Sequence, residues 1–461
     1  MFKLKRKKKD DNQNPYSVKK KSGLAKFRDK VASRHFAIER FGINFGLLTL
    51  ALLICFGLAY KAQYDYANAI VNNQALYTTQ FTTSKSNVNA NVIGLYDNKS
   101  HTRSFLLMKL SDTSQLPMDA NKYQFFMCGE DAHNNYAPVK GSPAAIFYVF
   151  GTTGYIGLYL VNNAGFQPQI LNVIGRINSP IVDNPNNDDT SQGSFAKYDE
   201  FRVRFNPGAR VVKTVTALDG KGEPSVSQLY SDMILNTQEK KAKEQLNKDL
   251  AKMKIDLNKI QDYEQRLQVY DHVQLPKAPK YIRGDKIVKE KNGYYRLITD
   301  HVMPGGYDLD WQHRSIEQGF ISGVIKQNHL DPSSNGTDVI NIMAKKRKNA
   351  DNGTNPDMST SIPNSSWRYR DGKRVAEATI TGAAGDNDDS DDTTNSDSAI
   401  TKQSQLNNDI QGLESAWSSY IGDKESYQSD DLEILIAMET TYRQSNSFSA
   451  INDHKSVLRI Y

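Results

Sequence analysis

Phe41-Gly-Ile-Asn-Phe-Gly-Leu-Leu-Thr-Leu-Ala-Leu-Leu-Ile-Cys-Phe-Gly-Leu-Ala-Tyr60 is a run of twenty residues without a charge, bracketed by Arg40 and Lys61. At about 1.5 Å of rise per residue a helix of this length covers roughly 30 Å, the thickness of the hydrocarbon core of a bilayer. No second run of this kind follows, so the sequence predicts one transmembrane helix limited by Phe41 and Tyr60. A cleaved signal peptide is the competing reading, because Gly57 and Ala59 are small residues suited to a cleavage site. The forty residues before the run and the twenty within it are both too many for one.

Charge assigns the two sides. Residues 1–40 hold fourteen Lys or Arg against four acids, a surplus of ten, and the remaining 421 residues carry a net charge of −4. Cations beside a first span hold it to the cytoplasmic side, so residues 1–40 are expected inside and everything beyond Lys61 outside the cell membrane. The external part has one cysteine, Cys128, and hence no internal disulfide, which suits a bacterial, Gram-positive surface better than a secreted eukaryotic ectodomain. The cations Lys3, Lys5, Arg6, Lys7, Lys8, Lys9, Lys19, Lys20 and Lys21 can lie on anionic inner-leaflet lipid. They can equally serve only to set topology. Direct nucleic-acid contact is not expected, because no aromatic residues interleave with them to stack on bases.

Outward from the span, the pattern predicts a membrane-anchored α+β protein. A stalk helix and linker occupy 61–85. Residues 86–220 contain eight short apolar or alternating runs, among them Tyr155–Val161 and Phe201-Arg-Val-Arg-Phe205, as a β-sandwich or barrel requires. Over 226–272 there is no Pro or Gly, and Leu246, Leu250, Met253, Leu257, Ile260 and Leu267 step by threes and fours, which predicts an amphipathic or coiled-coil helix ended before Pro276. That seam either folds onto its own domain or joins copies of the chain into a homo-oligomer. A small mixed domain is expected over 280–330, a disordered Asn/Asp-rich linker over 331–402 and a helical segment over 403–461, with Leu406, Ile410, Leu413, Trp417 and Ile421 on one face. The mean hydropathy of −0.62 agrees with so much linker and exposed helix.

Chemistry-bearing motifs are few. Gly151-Thr-Thr-Gly-Tyr-Ile-Gly157 has phosphate-loop spacing but lacks a following Lys-Ser/Thr and lies between strand runs, so it reads as a hairpin turn. His301, Asp308, Asp310 and His313 are suitable zinc or manganese ligands within thirteen residues, in a spacing of no known motif; solvated loop residues are the alternative. The acidic cluster Asp386–Asp392 lacks the internal Gly and terminal Glu of a calcium loop. Cys128, beside Phe125 and Phe126, reads as core. There is no Gly-X-Ser-X-Gly or His-Glu-X-X-His, so neither catalytic residues nor a cofactor are expected.

The layout of basic tail Lys3–Arg40, span Phe41–Tyr60, stalk helix and external domain resembles bitopic components of bacterial envelope machines, above all the conjugative transfer apparatus of Gram-positive mobile elements. The resemblance implies a non-enzymatic scaffold for DNA transfer or secretion, with membrane lipid and other envelope proteins as partners. Division-site membrane proteins share the layout, and a wall hydrolase or a surface-display protein fits it too.

Overall fold

The computed structural model describes residues 37–131, 135–177, 198–220, 222–351, 360, 362–363, 366–375, 393–453 and 457–459. The chain divides into two compact units, Met1–Asn73 and Gln74–Tyr461. In the first, α1 (Ala37–Asn73) is a continuous helix about 55 Å long at 1.5 Å per residue. Its large apolar side chains are exposed, Phe41 at 73% and Leu53 at 64%, with Tyr60 at 74%. Among the described residues Phe41–Asn73 is the one helix long and apolar enough to cross a membrane. The helix stops at Asn73, earlier than the predicted stalk, where the Asn73 side-chain amide donates to the Ala69 carbonyl at 2.9 Å.

The second unit is mixed α and β. Its larger sheet runs in the order β1 (Gln80–Thr82), β2 (Asn89–Asp97), β3 (Arg103–Leu110), β7 (Tyr155–Val161), β6 (Ala144–Val149) and β15 (Ser449–Asp453), with β10 (Lys213–Thr214) beside β2. The smaller runs β16 (Val457–Arg459), β4 (Tyr123–Glu130), β8 (Ile170–Ile177) and β9 (Asp199–Phe205), with β5 (Tyr136–Ala137) beside β4. Pairing is antiparallel except for β10 on β2 and β16 on β4. The two sheets share one apolar core, in which Leu106, Phe147 and Leu158 of the larger meet Phe125, Val173 and Phe201 of the smaller.

The opposite face of the larger sheet is covered as well. Phe105, Tyr148 and Tyr159 belong to a second cluster together with residues of the helices. This explains the sequence texture, since β7 is buried without interruption from Ile156 to Leu160, whereas β9 alternates and turns Arg202 outward. The glycine run forms the hairpin turn between β6 and β7, with Gly154 in the left-handed region at φ +79°.

The helical layer opens with Ser225, whose hydroxyl accepts from the Gln228 N–H at 3.2 Å and caps α2 (Val226–Leu229). A π-helical turn at Tyr230–Leu235 continues into α3 (Asn236–Val269). Along α3 lies α6 (Thr393–Ser426), followed by a second π turn at Tyr427–Asp431 and by α7 (Leu432–Gln444). Lys252 pairs with Asp423 at 2.7 Å and Arg266 with Asp409 at 3.6 Å, so the two helices are antiparallel. A long-range two-stranded pair, β11 (Val273–Gln274) with β14 (Arg368–Tyr369), a hairpin of β12 (Lys286–Lys289) with β13 (Tyr295–Ile298), and the short α4 (Ile321–Gln327) complete this layer.

Two expectations are corrected. Residues 331–402 do not form one unstructured linker. Gly336–Asp351 is a helix, α5, begun by a reciprocal cap in which Asn335 and Asp338 each accept the other's N–H at 3.0 Å, with Val339 and Met343 buried on its inner face. Farther on, Trp367 is buried beside β14. Averaged composition hid these few well-placed apolar residues; the acidic cluster 386–392 lies outside the described residues. Residues 403–461 are likewise not helical throughout: α6 lies on α3, and the chain then returns as β15 and β16 to an edge of each sheet.

Candidate functional site

The predicted site residues are widely dispersed. Leu246, Leu250, Met253, Ile260 and Leu267 are buried and Leu257 half-buried, in one cluster with Leu413, Trp417 and Tyr420 of α6, so the seam is covered within the chain. Lys3 to Lys21 lie outside the described residues. Cys128 is buried in β4 with its thiol toward the Asn172 carbonyl at 3.7 Å, and burial pushes its pKa up. The four candidate ligands do not converge. His313 bonds Asp310 at 2.8 Å and faces Glu290 at 3.0 Å, and these carboxylates, Asp310 foremost, raise its pKa. Among the described residues no group of three or more His, Cys, Asp or Glu is placed to hold a metal.

Sequence reading missed a buried cation. Lys424 has no exposed surface; its ammonium donates to Asp285 Oδ2 at 2.6 Å, to the carbonyls of Tyr281 and His301 at 2.7 and 2.8 Å, and to Thr299 Oγ1 at 2.9 Å. Tyr420 donates to the same carboxylate oxygen at 2.7 Å. Burial pushes the Lys424 pKa down and Asp285 opposes it. The signal was legible: Leu413, Trp417, Tyr420, Lys424 and Tyr427 follow the four-three spacing, which puts a lysine on an apolar stripe.

This network holds one wall of a cleft of about 320 Å³, within the size range of ligand sites. That wall is β13 from Arg296 to Ile298 with the adjoining Thr299; the facing wall is the segment Tyr307–Asp310, and the second π turn contributes Tyr427 and Gln428. π turns inside α-helices are frequent at functional positions. Here the turn clamps the facing segment at both ends. Gln428 accepts the Tyr307 N–H on its carbonyl at 2.6 Å and the Met303 N–H on its side chain at 2.9 Å, and the Tyr427 hydroxyl accepts from the Trp311 indole at 2.8 Å. Between the clamps, Asp308 and Asp310 are exposed and Leu309 is buried, the alternation of an extended chain. In the same turn, burial and the neighbouring Asp249 push the Asp431 carboxyl up to about 6.

The opposite wall has the same construction. Glu290 N–H bonds the Tyr294 carbonyl, and alternation along the β12–β13 ladder then turns the N–H and C=O of Tyr295 and Leu297 away from β12. Those of Tyr295 are taken by Asn247 at 2.7 Å and Gln312 at 2.9 Å. Among the described residues nothing bonds the outward N–H and C=O of Leu297, nor the backbone of Asp308, Leu309 and Asp310. The chain matches no known protein family, no curated protein and no solved structure.

Proposed function

We propose that this chain is a single-pass membrane scaffold of a bacterial envelope machine, of the conjugative DNA transfer or secretion kind, with residues 1–40 cytoplasmic and the sheet-and-helix unit outside. The observation that carries the reading is α1, an uncharged helical face of exposed Phe, Leu and Ile between Arg40 and Lys61. In water such a face is strongly unfavourable, and in hydrocarbon it is at home. The external unit, read as a β-sandwich backed by an antiparallel coiled-coil-like helix pair, offers a rigid body for docking. Because α6 covers the heptad seam, lateral association in this reading uses other surfaces.

Two measurements test it. In intact cells a membrane-impermeant maleimide should label Asn292→Cys and spare Ser17→Cys; the reverse pattern, or labelling of both, overturns the anchored topology. Crosslinking of the full chain in its own membrane should recover transfer-channel subunits. Recovery of septal wall-synthesis proteins moves the assignment to cell division, and peptidoglycan turnover by the purified chain moves it to a wall hydrolase.

A further inference from the structure

We infer that the cleft between β13 and Tyr307–Asp310 binds an extended, basic peptide segment, which adds as a third strand to β13. This gives the proposed scaffold a class of partner; it rests on that reading for its biological sense and not for its binding chemistry.

Strand addition needs an accessible strand edge with unsatisfied backbone groups, and space beside it. The β12–β13 pair has only two strands among the described residues, and the cleft lies against its β13 edge. Leu297 presents a donor and an acceptor there, flanked by groups already engaged at Tyr295 and Thr299. Both walls are held at their ends, β13 by Asn247 and Gln312 on the outer edge at Tyr295 and by Lys424 on Thr299 just past Ile298, the facing segment by Tyr427 and Gln428. Neither wall has to be ordered when a strand arrives, and that lowers the entropic cost of binding.

Charge at the rim selects the occupant. Asp308 and Asp310 project on the facing wall; Asp310 is bonded by His313 at 2.8 Å on its exposed side, and Asp308 has no ion pair among the described residues. Arg296, the cation on the β13 wall, is engaged by Glu290 at 3.6 Å. An incoming strand whose alternate side chains are Lys or Arg places them against the two carboxylates while its backbone pairs with Leu297.

The test uses the full chain in detergent micelles and a fluorescein-labelled Lys-Val-Lys-Val-Lys peptide followed by anisotropy. Methylating the backbone nitrogens of both valines keeps the charge and removes the strand donors, and should weaken binding by about tenfold or more. The double variant Asp308→Asn with Asp310→Asn should weaken it by about as much at low salt. A Glu-Val-Glu-Val-Glu peptide should not bind. In hydrogen exchange the Leu297 amide should slow when the basic peptide is present, a readout that no unfolding variant can imitate. Equal affinity of the methylated peptide, binding without protection at Leu297, or no binding at about 1 mM peptide overturns the inference. The outcome is independent of the maleimide topology, so either reading can fail alone.

Discussion

Helices α3 and α6 meet along one seam with the same four-three spacing, and they use it differently. From Leu246 to Ile260 every seam position of α3 is Leu, Met or Ile, whereas the α6 side places Lys424 between Tyr420 and Tyr427 at the start of the π turn. An apolar seam residue asks only to be covered, and any apolar surface of the right shape will do. A buried ammonium accepts few surroundings, and here it takes Asp285 and the carbonyls of Tyr281 and His301, which fixes where the β12–β13 hairpin sits. The α3 side thus supplies stability and the α6 side supplies position.

Breaking the polar side should have the largest effect. Asp285→Ala leaves a buried, unpaired ammonium and should cost about 3–5 kcal/mol in urea unfolding, whereas Lys424→Met combined with Asp285→Leu should cost far less than the two single changes together. If the single and double changes simply add, the ion pair does not act as a unit. On the apolar side, Leu250→Ala should cost about 2–5 kcal/mol, with the mass in light scattering unchanged, because the seam is filled from within the chain. A change of mass would return the seam to a role between copies.

A finer probe of the same contact is Gly412, where an added Cβ would lie 2.5 Å from the Tyr263 ring. Gly412→Ala should cost about 1–3 kcal/mol, most of it recovered when Tyr263→Ala opens the space. The smallest effect is pH dependence. The folded-state pKa of Asp431 is pushed up to about 6 from 3.8, so its neutral form is favoured in the fold. Its contribution to stability is therefore gained as pH falls through 6 toward 3.8 and lost as pH rises. Comparison of Tm at pH 7 and pH 5 should show a smaller rise, or a larger fall, on acidification for Asp431→Asn than for the parent; identical pH profiles would dismiss the carboxyl.

Local rhythm made part of this legible. The apolar run Tyr155–Val161 coincides with β7, and the spacing from Leu246 to Leu267 falls within α3, because apolar periodicity is a property of a short window. What escaped was decided at long range. Nothing near Leu250 says that its cover comes from α6, and a window of Asn, Asp and Ser does not reveal that Val339 and Met343 will be buried. The cleft was legible only as loose residues: Asp308 and Asp310 stood out as candidate ligands, but their relation to Leu297 depends on the π turn that clamps the segment between them. Lys424 is visible in the stripe only as a violation of its apolar pattern, and the stripe does not name the Asp285 that answers it.

The return of β15 and β16 has a consequence in time. Ser449, at the start of β15, bonds the Ala120 amide across 329 positions of sequence. A ribosome adding about 5–20 residues per second leaves β6 and β4 without these neighbours for roughly 15–65 s after they are made. During that wait, one border of each sheet is open to any strand that drifts past. Biogenesis of this protein thus contains an interval, set by the order of segments along the chain, in which β6 and β4 keep open edges until their late partners emerge.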